Sequence, residues 1–77
     1  MTIQDLRPGE RFVVLGVRSA QETGRRLADM GFTKGTEGRL VRRALFGTPL
    51  EIVILGYRVS LRKSEADAVD VLPGTAS

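Results

Sequence analysis

Leu50, Ile52 and Ile54 share one parity, and after a reversal near Gly56, Tyr57, Val59 and Leu61 share another against Arg58, Ser60 and Arg62. A side-chain period of two is the mark of half-buried strands, so the segment predicts a β-hairpin with one dry and one wet face. A two-stranded hairpin is marginal in water, and the dry face needs further strands to close over it. Residues 12–17 are apolar on both parities and rich in β-branched side chains, as in a strand covered on both sides, with Gly16 marking a bend or bulge. Residues 37–43 read as a strand whose inward face is ambiguous, because Leu40 and Val41 are apolar on opposite parities. Val69 and Val71 alternate with Asp70 in a last short strand.

Helical signals are fewer. Ser19 and Glu22 have capping-box spacing, which predicts a helix over 20–30 with Ala20, Leu27 and Met30 on its apolar face and Gly31 ending it. Gly24 lowers helix propensity by about 1 kcal/mol relative to Ala, so this helix needs tertiary support. Ser64 and Asp67 predict a single helical turn. Leu6-Arg7-Pro8-Gly9 and Phe46-Gly47-Thr48-Pro49 have turn composition. The expected fold is mainly β: one domain over 1–72, a small SH3-like barrel of about five strands, and a frayed tail over 73–77. One α-helix follows the first strand and a short helical turn precedes the last. OB-folds share the strand pattern, and the small size with an early helix favours the SH3-like form.

The 77 residues contain no cysteine and no histidine. That removes disulfides, thiolate or imidazole metal centres, Cys nucleophiles and Ser-His pairs at once. Carboxylate pairs, Lys34, Lys63 or Tyr57 would need an enclosed cleft to shift their pKa values, and a domain this small has little material for one. No catalytic residue, cofactor or metal site is therefore expected. Gly31-Phe32-Thr33-Lys34-Gly35-Thr36 resembles a phosphate loop only superficially, because its Lys precedes the glycine and a strand follows. Glu65, Asp67 and Asp70 are the tightest acidic group, without EF-hand spacing. No run approaches the roughly 20 apolar residues of a membrane span, and Met1-Thr2-Ile3-Gln4-Asp5 lacks the features of a secretory signal. A cytoplasmic location is expected.

Twelve Lys and Arg against nine Asp and Glu give a net +3, unevenly placed: residues 37–63 hold six bases and two acids, a local +4. Arg39, Arg42, Arg43, Arg58, Arg62 and Lys63 are candidates for a basic face suited to an acidic protein, an anionic membrane surface or nucleic acid. Single-stranded nucleic acid favours exposed aromatics, and of Phe12, Phe32, Phe46 and Tyr57 the core is expected to claim Phe12 and Tyr57. Leu45-Phe46 and Met30-Gly31-Phe32 stand where apolar side chains either close the barrel ends or dock a partner.

Three ordered motifs then resemble the FeoA family, the small cytoplasmic component of bacterial ferrous iron transport. They are Arg26-Leu27-x-x-Met30-Gly31-Phe32-x-x-Gly35-Thr36, Ala44-Leu45-Phe46-Gly47-Thr48-Pro49-Leu50-Glu51, and Gly56-Tyr57-Arg58-Val59-Ser60-Leu61-Arg62-Lys63-x-Glu65-Ala66. The family's usual Leu-Gly is Met30-Gly31 here, and its common Pro-Leu-Gly-Asp-Pro turn reads Leu45-Phe46-Gly47-Thr48-Pro49. The resemblance implies an SH3-like barrel, no enzymatic activity, and association with FeoB, a permease carrying a cytoplasmic GTP-binding domain. Membrane association is then expected only through that partner, with nucleic acid or transition-metal sensing as alternatives and weak self-association through a strand edge open. Met30, Phe32, Leu45 and Phe46 are the expected apolar contacts, and Arg25, Arg26, Arg42 and Arg43 the expected steering rim.

Overall fold

The computed structural model describes residues 1–19 and 21–74. A 3₁₀ turn at Ile3–Asp5 leads into β1 (Arg11–Val17), α1 (Glu22–Asp29), β2 (Glu37–Arg43), β3 (Leu50–Ile54), β4 (Tyr57–Leu61), α2 (Lys63–Asp67) and β5 (Val69–Pro73). All sheet pairings are antiparallel, in the order β4-β3-β2-β1-β5. The Pro8-Gly9 turn forms as expected: the Arg7 carbonyl accepts the Glu10 N–H at 3.0 Å and Gly9 takes φ 93°.

Two bulges bend the sheet. Pairing of β1 with β5 slips between Val14 and Gly16, making Leu15 the extra residue and leaving it 48% exposed. Pairing of β2 with β3 slips between Leu40 and Arg42, making Val41 the extra residue. Each bulge exchanges the parity that faces inward. In β1 the exchange turns Val17 toward the core after Phe12 and Val14, and in β2 the second-parity apolar residue, Val41, is the bulge residue itself, whereas unbulged β3 buries Leu50, Ile52 and Ile54 in strict alternation. Phe12, Val14, Leu27, Phe32, Leu40 and Leu61 join them in the core.

The long helix starts later than its Ser19-Glu22 spacing suggests: Gln21 occupies the N-cap without a side-chain hydrogen bond. The Ser19 carbonyl instead packs against the helix at Gly24, where its oxygen lies 1.6 Å from the position a Cβ would take. Gly24 is thus a close-approach position. The expected helical start at Ala20 lies outside the described residues. The box before α2 is displaced too, since Glu65 Oε1, and not the Ser64-Asp67 pair, closes the turn by accepting the Arg62 N–H at 2.8 Å. Pro73 belongs to β5, paired with Phe12, rather than to a tail. An edge strand tolerates proline because its outer N–H has no ladder partner to lose. Residues 75–77 of the expected tail lie outside the described residues.

Candidate functional site

Beyond Arg43 the chain leaves β2 through a four-residue turn in which the Gly47 N–H reaches the Ala44 carbonyl at 2.8 Å, with Gly47 at φ 84°. The Ala44 N–H reaches the Pro49 carbonyl at 3.0 Å and closes the base. Leu45 and Phe46 occupy the two middle positions and stand 90% and 89% exposed. Two large apolar side chains are thereby held in water by a hydrogen-bonded turn. Beside them Arg42 is exposed, its Nε 2.5 Å from Glu51 Oε2. Arg43 turns the other way: its guanidinium donates to the Leu6 carbonyl at 2.7 Å and also to the Gln4 carbonyl. It braces the N-terminal turn against β2, so the expectation that it belongs to a steering rim is corrected.

The second expected group sits at the C-terminal end of α1. Gly31, at φ 109°, donates to the Ala28 carbonyl at 3.0 Å, and Phe32 donates to the Leu27 carbonyl at 3.0 Å. This is a Schellman cap, in which the residue after the glycine packs back onto the helix. Phe32 accordingly lies in the core, 1% exposed, in one cluster with Leu27. The expectation of Phe32 as a surface contact is corrected, and the Gly31-Phe32 pair itself was the signal for burial. Met30 is half-buried against the core, and its carbonyl accepts the Tyr57 hydroxyl. Tyr57 is 43% exposed rather than claimed by the core, because it stands at the hairpin end where its ring leans over the α1 terminus. Arg25 is exposed on α1, whereas Arg26 forms an ion pair with Glu65.

Glu65 is a buried carboxylate joining two elements. Its Oε1 takes the Arg62 N–H, and its Oε2 faces the Arg26 guanidinium as an ion pair without an aligned hydrogen bond. Arg62 and Ser64 line both the recess beside Arg26, about 350 Å³, and the recess beside Thr48, about 740 Å³. The start of α2 therefore lies between the arginines of α1 and the Leu45-Phe46 turn, so the structure gives two neighbouring elements and not one continuous patch.

The hairpin loop adds residues that the sequence reading passed over. Ile54 pairs with Tyr57, which leaves Leu55 and Gly56 at φ 53° and 81° as a two-residue turn of the primed type. Leu55 is 65% exposed, and its Cδ1 lies 2.6 Å from where a Cβ on Gly31 would be. The alternation on either side of Leu55 and Gly56 was the available signal, since it fixes the loop length.

Charge is tied down elsewhere. Arg18 Nε and Nη2 hold Asp70 at 2.7–3.0 Å, and this hydrogen-bonded guanidinium keeps the Asp70 carboxyl below the usual carboxylate range while Asp70 raises Arg18. Asp67 accepts from the Thr2 hydroxyl at 3.4 Å. Glu65, Asp67 and Asp70 are thus each engaged separately, and among the described residues no three His, Cys, Asp or Glu side chains gather to hold a metal ion. Among the same residues no helix is long and apolar enough to cross a membrane.

A bent five-stranded antiparallel sheet, with one helix after its first strand and a short one before its last, defines a small SH3-like β-domain. The chain belongs to the FeoA family: the FeoA domain model matches residues 1–73. The Stenotrophomonas maltophilia FeoA crystal structure, a zinc complex of a prokaryotic SH3 domain protein, superposes with a TM-score of 0.86 at 32% identity, covering 100% of this chain and 99% of that one. The Chlorobium tepidum FeoA protein gives 0.85 at 31% identity, over 92% of this chain and 68% of its own. Iron(II) transport protein A from Clostridium thermocellum gives 0.87 at 32%, and the match spans 92% of this chain but 44% of that protein. No curated protein matches the chain by sequence.

Proposed function

We propose that the chain is a non-enzymatic accessory protein of bacterial ferrous iron uptake that docks, in the cytoplasm, on the cytoplasmic part of a FeoB-type permease. The observation carrying this reading is the Leu45-Phe46 turn. Two neighbouring side chains 90% and 89% exposed leave apolar surface in water that a partner would cover, and the closed turn presents them at little further ordering cost. Family membership supplies the transport context, and the Stenotrophomonas relative carries the description of a candidate ferrous iron transport activating factor. Leu45 and Phe46 are the anchors. Exposed Arg42 and Arg25, together with Arg26, steer the encounter, whereas Met30, held beside Tyr57 at the opposite end of β3 from the Leu45-Phe46 turn, is left out of this contact.

The test is a calorimetric titration of the chain into the isolated cytoplasmic domain of the cognate permease, with and without guanine nucleotide. Saturable binding is expected, and Phe46→Ala should weaken it by about 2 kcal/mol, roughly 30-fold, as for an interface anchor. Absence of binding, or binding indifferent to Phe46→Ala and Leu45→Ala together, sinks the reading.

A further inference from the structure

Arg11, Arg39 and Arg58 stand in one row across the outer face of the sheet. The register sets Arg11 opposite Arg39, Arg39 opposite Val53, and Val53 opposite Arg58. The adjacent row, Phe12 with Gly38 and Gly38 with Ile54, faces the core, with Phe12 and Ile54 at most 1% exposed. Alternation therefore turns the arginine row to solvent, where all three are exposed. Three strand spacings separate Arg11 from Arg58, about 14 Å.

Like charges placed directly opposite each other weaken a sheet, so the Arg11-Arg39 pair is not explained by folding. On this face the four arginines of β1 to β4, Arg42 included, meet two carboxylates, while Arg18 and Asp70 neutralise each other at its β5 edge. Glu51 is shared between Arg42 at 2.5 Å and Arg58 at 3.8 Å, and Glu37 lies two residues from Arg39. The excess is two positive charges. An open groove of about 410 Å³ follows the row, lined by Arg11, Arg39, Glu37, Val53 and Leu55. Aliphatic side chains flank it: Leu55 is 65% exposed at the hairpin tip, and Leu72, opposite Val13 on the same face, is 57% exposed.

Guanidinium groups chelate phosphate oxygens in pairs, and exposed leucines beside them suit an interface that is anionic outside and apolar beneath. Single-stranded nucleic acid would call for stacking rings, where this groove offers Val53 and Leu55. We propose that this face binds the headgroup phosphates of an anionic phospholipid surface, so that the chain docks on a membrane by itself, with or without a permease.

The experiment is co-sedimentation of the purified chain with vesicles of phosphatidylglycerol and phosphatidylcholine, against vesicles of phosphatidylcholine alone. The chain should partition onto the anionic vesicles and be released by salt. Arg11→Gln with Arg39→Gln should lower the partition by about 25-fold, about fivefold per guanidinium. That double variant should melt no lower than the wild type, since it removes opposed like charges. Leu55→Asn, a residue suited to the turn's positive φ, should keep the fold and weaken partition severalfold. The proposal is overturned by no partition at low salt, by equal partition onto both vesicle types, or by a double variant that partitions unchanged. It is overturned equally if inorganic phosphate or an oligonucleotide shifts the Arg11 and Arg39 guanidinium resonances while anionic vesicles do not. None of these measurements contains a permease, so they stand or fall separately from the FeoB reading.

Discussion

Phe32 is 1% exposed and Phe46 is 89% exposed, so truncating each removes the same atoms from opposite environments. Phe32→Ala opens a cavity beneath the α1 cap, a loss of about 3–5 kcal/mol for a buried phenylalanine. Domains below about 70–80 residues draw about 3–5 kcal/mol from their cores, so this variant should be largely unfolded in buffer. Phe46→Ala should lie within about 0.5 kcal/mol of the wild type in a urea melt. If both variants unfold alike, Phe46 belongs to the core and the docking reading fails with it. Sequence placed these two rings in the same class because both follow or precede a glycine among apolar neighbours. What separates them is backbone geometry: Gly31 folds its successor back onto Leu27, whereas Gly47 closes a turn whose middle residues point away.

At the scale of elements, helix α1 carries a glycine that propensity alone would replace. Gly24→Ala gains about 1 kcal/mol of intrinsic helicity. The Ser19 carbonyl oxygen, 1.6 Å from the new Cβ, is backbone and cannot rotate away, so the approach of the β1–α1 connection has to open. Overpacking of this kind costs about 1–3 kcal/mol, and the net change should be destabilising by about 1 kcal/mol. A thermal melt in which Gly24→Ala is the more stable protein would contradict the contact. The same contact explains what the sequence concealed. Ser19 and Glu22 have the spacing of a capping box, but the Ser19 backbone is used for packing and the helix begins after it. The hairpin was legible because β3 keeps one period on one buried face. In contrast, β1 and β2 were legible only as strands, since bulges at Leu15 and Val41 reverse parity within each. Of the candidate site, the turn composition around Gly47 was visible, whereas the cross-strand row of arginines required a register that only pairing supplies.

For the whole molecule, closure runs through β5. The last strand returns to pair with the first, Thr2 bridges Asp70, and the Met1 carbonyl accepts the Val71 N–H at 2.9 Å. Contacts so distant in sequence form late and depend on whatever holds the ends together. Arg18 and Asp70 clamp β5 where β1 ends, and their hydrogen bonds depress the Asp70 carboxyl. A carboxyl whose pKa is lower when folded adds stability above its unfolded value, near 3.9, and loses it as pH falls through the folded value. Asp70→Asn should therefore melt below the wild type at neutral pH, with the gap closing as the solution is taken beneath the usual carboxylate range. Salt should narrow the gap as well, because the pair is exposed and screened. Thermal melts of both proteins across acid pH read this directly: a gap that persists after Asp70 is protonated would assign the effect to the side chain's shape, and a gap absent at neutral pH would remove the clamp from the closure of the sheet.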